Sequence, residues 1–269
     1  MNNIVDFCKL CLRNTEICGK LQNSHIIPRF IFRKTKGASG LSAVFTESSN
    51  TLSFSQADWK QPLLCYECEQ FLNDSYEKHL NEVLYLRRKT IKFYSGKERI
   101  ILETSADKLA LCLITIFWRA AISSLIEFKW AVAPEYVLEE MRVWIKTETI
   151  LPSWDRLISI EIVEIVDDGG EIMHLLIPTD IRKNIDHFDF IFVCGGYKIT
   201  FTIPPTYKQG FSKKSELNSK SEIVWIEKTN FRKIDSINRL LGGMVTANIP
   251  ENMKNIQNRI QKKSKKKNF

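Results

Sequence analysis

Two Cys-x-x-Cys pairs, Cys8/Cys11 and Cys65/Cys68, constrain this chain more than any other feature of its sequence. Each pair can offer two thiolates from one compact turn. Two such turns complete the four-sulfur tetrahedron that zinc prefers. The pairs are 53 residues apart, wide for a short finger but sufficient for a hairpin inserted between the halves. A redox role normally needs one pair beside a βαβ unit, which is not legible here. The expectation is therefore a structural Zn²⁺ on Cys8, Cys11, Cys65 and Cys68, supplying folding free energy that so small a segment cannot draw from its own core. Cys18 is a possible substitute ligand, while Cys112 and Cys194 lie in apolar stretches and read as packed thiols.

The pattern between and after the pairs is strand, loop, strand, helix. Residues 21–27 are β-like up to Pro28, and residues 34–56 are rich in Ser, Thr, Gly and Asn. QPLLC at 61–65 is a second short strand, and a helix is expected from about Glu69 to Lys89, with Leu72, Tyr76, Leu80, Val83 and Leu84 on one side. Residues 105–146 predict a buried helical hairpin broken at Ala133-Pro134. Arg119, inside its apolar run, needs a carboxylate or carbonyl partner, because a lone buried charge is costly. Two β-hairpins are expected over 157–204, turning at Asp167-Asp168-Gly169-Gly170 and at Gly195-Gly196. A polar loop at 205–222 and a short helix near 231–241 follow. The organisation read from this is a domain at 1–95, a helical and sheet domain at 100–249, and a basic, disordered tail at 250–269.

Charge is uneven. Residues 1–100 carry 15 Lys/Arg against 10 Asp/Glu, residues 101–249 carry 17 against 20, and residues 250–269 carry 7 against 1. A polyanion surface is thus expected in the first hundred residues or the tail. Lys also outnumbers Arg 26 to 13, which coding bias can produce. No apolar run reaches membrane-spanning length and the start lacks a secretory pattern, so the expectation is a soluble cytoplasmic protein without a membrane partner.

One histidine stands between the cysteine pairs, in LQNSHIIPRF. The order Cys-x-x-Cys, SHIIPRF, LLCYEC and then a helix resembles the zinc-stapled branch of the HNH endonucleases, the ββα-metal fold, over about residues 5–90. It is also similar to a set of uncharacterised bacterial proteins sharing CxxC, SHIIPxF and LCxxCE. The resemblance implies an α+β protein: a zinc-stapled ββα N-terminal domain, then a helical hairpin packed with an antiparallel sheet. It implies a metal-dependent endonuclease hydrolysing phosphodiester bonds, with DNA as the partner and a defence role common among such proteins. His25 would be the general base, and Glu69, with Asn73, would hold a catalytic Mg²⁺ or Mn²⁺.

The usual ligand slots are altered: Ser24 precedes the histidine, Lys60 replaces an asparagine, and Glu69 replaces a histidine. Glu69 can still bind a hard cation. Glu77, two turns further on, is too distant to share that ion. Arg29, Arg33, Lys34, Lys36, Lys60, Arg87 and Arg88 are the candidate phosphate contacts; ordinary surface charge is the competing account. The alternative function is a non-catalytic zinc module that binds nucleic acid or a protein, with the C-terminal domain as partner surface, acting within a complex.

Overall fold

The computed structural model describes residues 6–36, 42–46, 51–55, 58–87, 89–151, 154–204, 217, 221–234 and 237–238. It is a mixed α+β protein with one large sheet, a two-stranded sheet and several helices.

The chain begins with the first cysteine turn. Leu12 N donates to Cys8 O at 2.9 Å, Cys8 N donates to Arg13 O at 3.0 Å, and Leu12 takes a left-handed φ of 60°. A single helical turn, α1 (Thr15–Cys18), is capped by Asn14, which accepts from Ile17 N at 3.0 Å. β1 (Gln22–His25) follows, then α2 (Arg29–Thr35), opened by Pro28. The sequence reading contained no helix here. Its pattern is short: Ile31, Phe32 and Thr35 go inward, leaving Arg29 and Arg33 exposed at i and i+4, with Lys36 exposed just past the helix end.

β2 (Ser42–Thr46) and β3 (Thr51–Ser55) pair antiparallel. β4 (Lys60–Leu64) then returns beside β1, with His25 opposite Lys60 and Ser24 opposite Gln61. Cys65 ends β4, and the helix starts at once as α3 (Tyr66–Leu72), with Glu67 and Glu69 in its first turn, where acidic groups complement the free N–H groups. The helix continues through a π turn (Asn73–Glu77), α4 (Lys78–Asn81) and a second π turn (Glu82–Leu86).

β5 (Thr90–Tyr94) and β6 (Lys97–Glu103) form a hairpin absent from the sequence reading. Next come α5 (Ala106–Ala121), almost wholly buried, and α6 (Glu135–Thr147), entered from Pro134. β7 (Ser159–Val166), β8 (Leu176–Lys183), β9 (Phe188–Cys194), β10 (Tyr197–Ile203) and β11 (Ile223–Asn230) complete the strands. The large sheet runs β3-β2-β8-β9-β10-β7-β11-β6-β5. It is mainly antiparallel, with parallel contacts at β11–β7 and β2–β8.

The hairpin at Gly195-Gly196 forms as expected; both glycines have positive φ, 61° and 94°, as a two-residue type I′ turn requires. The hairpin expected around Asp167–Gly170 does not form. β7 and β8 share no ladder; the turn is closed by the isolated bridge Val166 to Ile172, with Asp167 N donating to Glu171 O at 2.8 Å and Met173 N to Ile165 O at 2.9 Å. β7 is buried along nearly its whole length, so it sits centrally between β10 and β11, and the nine residues 167–175 carry the chain away to the far side of β9. β11 was hidden in the sequence because the polar run before it extends into SEIVWIEKTN, where only Val224 and Ile226 go deeply inward. Five of the eleven residues of the helix expected near 231–241, and the tail, lie outside the described residues; Ile237 and Asn238 are helical, and Asn238 N donates to Ile234 O at 2.9 Å. The described part of that stretch holds a 3₁₀ turn at Phe231–Lys233.

Strands from both sides of residue 95 meet in the large sheet, and one buried cluster runs from Cys8 to Ile226. At its centre Phe117 of α5 packs against Phe201, Phe190 and Phe192, with ring centroids 5.0, 5.3 and 6.2 Å away. α6 ties the helical layer to the N-terminal part: Tyr76 Oη donates to Ile145 O at 2.6 Å, and Arg142 Nη1 donates to Leu10 O at 2.8 Å. The N-terminal hairpin is thus held against a rigid neighbour. No helix among the described residues is long and apolar enough to cross a membrane.

Candidate metal centre and adjoining histidine cleft

The four predicted cysteines converge. The sulfurs of Cys8, Cys11, Cys65 and Cys68 all lie within 4.8 Å of one another, and Cys11 Sγ is 3.9 Å from Cys65 Sγ. The two turns that carry them are joined through the backbone, where Lys9 N donates to Leu63 O at 3.0 Å. Donors already point at the sulfurs: Cys65 N lies 3.3 Å from Cys8 Sγ, and Arg13 Nε 3.4 Å from Cys11 Sγ. Such N–H···S contacts favour thiolates, as metal ligation requires.

The protons of the quartet are shared unequally. Hydrogen bonding from Cys68 and from backbone groups outweighs burial and pulls Cys8 down to about 4, while that same hydrogen bond, then burial, then the charge on Cys8 push Cys68 far up. Burial, foremost, raises Cys65 to about 11. Four anions in this space need a cation among them. The quartet fits a four-coordinate soft ion, and it can hold a metal such as zinc. Cys18 is not in it; its thiol donates to Arg13 O at 3.4 Å.

The cysteine cluster brings the start of α3 beside β1, and the cleft between them takes His25 and Glu69. His25 ends β1, with its side chain about a fifth exposed and Nε2 buried 2.9 Å from Asp58 Oδ1. Nε2 makes no aligned hydrogen bond there, so this is a close approach of the ring to a carboxylate. Asp58 Oδ2 lies 2.5 Å from Lys60 Nζ. Burial, foremost, lowers the pKa of His25; Lys60 and Arg119 add to this, and Asp58 and Glu77 oppose it. The ring is therefore neutral at pH 7.

Glu69 points into the same cleft. Burial pushes its pKa up, partly offset by the Arg119 charge and a hydrogen bond from Ser24. Arg119 reaches in from α5, entirely buried. Its Nη1 donates to His25 O and to Glu77 Oε1, each at 2.7 Å, and its Nε donates to Thr115 O at 3.2 Å. The partner required from sequence is thus both a carbonyl and a carboxylate. Glu69 Oε1 and Arg119 Nη2 remain buried without hydrogen-bond partners, an acceptor and a donor of opposite charge.

Glu77 belongs here because of the π turn. On an uninterrupted α-helix, eight residues place a side chain about 80° around from Glu69. One π turn effectively inserts a residue, so the spacing acts as seven and the offset shrinks to about 20°. Glu69 and Glu77 therefore share a face toward Arg119. Asn73 does not join them: its amide donates to Asp74 Oδ1 at 3.2 Å, and no hydrogen bond among the described residues links it to His25 or Glu69.

These residues do not fit the divalent ion that the resemblance implies. Among the described residues the cysteine quartet is the one set of three or more metal-capable side chains that converges. Lys60 and Arg119 supply positive charge where ligands would be needed, and both oxygens of Asp58 are engaged.

The predicted phosphate contacts divide. Arg29 and Arg33 lie exposed on α2 and Lys36 exposed just past its end, and none makes an ion pair among the described residues. Lys34 lies 5.5 Å from the Tyr85 ring centroid, Lys60 pairs with Asp58, and Arg87 Nη2 lies 3.0 Å from Glu82 Oε1. Arg88 lies outside the described residues. Sequence reasoning missed Asp58; only the return of β4 beside β1, opposing His25 to Lys60, brings it near. Comparisons with protein-family models, with curated proteins and with solved structures return no match.

Proposed function

We propose that the chain is an HNH-like nuclease: a nucleic-acid-binding protein that hydrolyses phosphodiester bonds, with DNA the first substrate to test and a structural zinc on the four cysteines. The observation that carries this is the pairing of His25 Nε2 with Asp58 at 2.9 Å, a base and its orienting carboxylate at the end of a strand. A rotation of the ring that aligns Nε2–H on Asp58 would leave the free lone pair on Nδ1. A water beside Nδ1 gives its proton to the ring as its oxygen bonds to phosphorus. The bond to the leaving oxygen breaks, and that oxygen takes a proton from solvent. Lys60, a third exposed beside the ring, places positive charge against the phosphate oxygens. The stripe of Arg29, Arg33 and Lys36 begins four residues after His25 and offers sequence-independent phosphate contacts.

The test is cleavage of labelled single- and double-stranded DNA and RNA by the zinc-loaded chain, beside His25→Ala. General-base loss is expected to lower the rate about 10²–10⁴-fold. Equal inertness of both proteins on every substrate would remove the catalytic reading. The burial of Ser24 and of most of the His25 ring favours a second reading, a non-catalytic zinc module. That reading predicts nucleic-acid binding unaffected by His25→Ala and weakened by substitutions in the α2 stripe.

A further inference from the structure

The histidine cleft is already supplied with cations. Asp58 gives one oxygen to His25 and the other to Lys60, at 2.9 and 2.5 Å. Glu77 Oε1 accepts from Arg119 at 2.7 Å, and the same guanidinium nitrogen holds the carbonyl of His25 at 2.7 Å. Ser24 lies beside Glu69, and Arg119 is the attractive charge that bears on it. Arg119 has no solvent exposure and cannot swing out to admit another ion. A hard dication needs several oxygen ligands and sufficient uncompensated negative charge. Here it would meet one unengaged oxygen of Glu69 while lying against a guanidinium.

We propose that Arg119 is the resident cation of this cleft, in the place that a divalent ion takes in ββα-metal proteins, so that the cleft holds no metal beside the one on the cysteines. A guanidinium is planar, permanently charged and able to donate in fixed directions, so it can join the end of β1 to the helix as an ion would. The proposal rests on the cleft's being the counterpart of the ββα-metal site, and not on its catalysing anything.

The test needs no activity. Metal content is measured on the zinc-loaded full chain, and Mn²⁺ is then titrated in, with free Mn²⁺ followed by electron paramagnetic resonance. The expected result is one zinc and no Mn²⁺ uptake up to about 1 mM, the weak limit of specific binding. Arg119→Gln, which releases Glu77 and Glu69, should tighten Mn²⁺ binding at least about tenfold, and Arg119→Gln/Glu77→Gln should lose that gain. Because Arg119→Gln can fail to fold, Glu77→Gln and Glu69→Gln are titrated as well; both should take up no Mn²⁺, like the wild type. A wild-type chain that binds Mn²⁺ at micromolar levels and loses it in Glu69→Gln overturns the proposal while leaving the nuclease reading intact. An inert His25 with no Mn²⁺ uptake does the opposite.

Discussion

His25 shows at the scale of one residue what a motif can and cannot convey. Its identity and its place between the cysteine pairs are readable in SHIIP, but its partner is not. Asp58 is 33 residues away in sequence and approaches only because β4 returns antiparallel to β1. Arg119 was readable in part, since a buried guanidinium must find acceptors, and it finds His25 O and Glu77. The depressed pKa of His25 has a thermodynamic consequence. Below its ordinary value of 6.5 the folded chain binds fewer protons than the unfolded chain, so stability present above that pH is lost as pH falls. His25→Gln should therefore flatten the decline in denaturation midpoint below about pH 6.5, leaving the contributions of His79 and His174, which burial also depresses. A profile parallel to the wild type would contradict this. Arg119→Met should cost about 3–5 kcal/mol, because it leaves Glu77 and a carbonyl buried without their donor. Chemical denaturation measures this, and Glu77→Gln in the same background should recover part of the loss.

At the scale of elements, the local pattern succeeded where periodicity was strong and failed where pairing was decided at a distance. α5 and α6 were legible from apolar runs and from Pro134. The β9–β10 turn was legible from paired glycines, because little else tolerates φ of 61° and 94° in succession. A Cβ at Gly195 would lie 2.0 Å from Tyr85 Oη, whose hydroxyl donates to Gly195 O at 2.8 Å. Gly195→Ala should accordingly destabilise by about 1–3 kcal/mol, read as a lowered midpoint of thermal unfolding. The β7–β8 pairing was misread because glycines in a long connection do not force a hairpin. The π turns left no sequence signal that distinguishes them from α-helix, yet one of them brings Glu77 round to Glu69. α2 converts a basic run into a stripe, and that has a salt signature. If Arg29 and Arg33 each neutralise a phosphate, Arg29→Ala/Arg33→Ala should lower the slope of log K against log salt by about 2, measured by fluorescence anisotropy on a labelled oligonucleotide. An unchanged slope would place the nucleic-acid surface elsewhere.

Across the whole molecule the metal lobe and the sheet share a core. The cluster from Cys8 to Ile226 passes through α5 and α6; Arg142 of α6 donates to Leu10 O in the metal lobe, and Phe117 of α5 packs on the sheet. Phe117, buried among three sheet phenylalanines, should cost about 3–5 kcal/mol when replaced by Ala, and its loss should lower the stability of the zinc lobe together with the sheet in one transition. Two separate transitions would show that the halves fold independently. That sharing was not legible, because β2 and β3 lie between β1 and β4 in sequence but join the sheet in space. The four-cysteine centre was legible, since its ligand type and spacing suffice to specify it, and everything said of His25 depends on its holding α3 against β1. X-ray absorption at the zinc edge tests it most directly. The account predicts one zinc per chain with four sulfur neighbours at about 2.3 Å, reduced to three on Cys65→Ser with loss of stability. A chain purified without zinc, or zinc bound by nitrogen and oxygen alone, would contradict it.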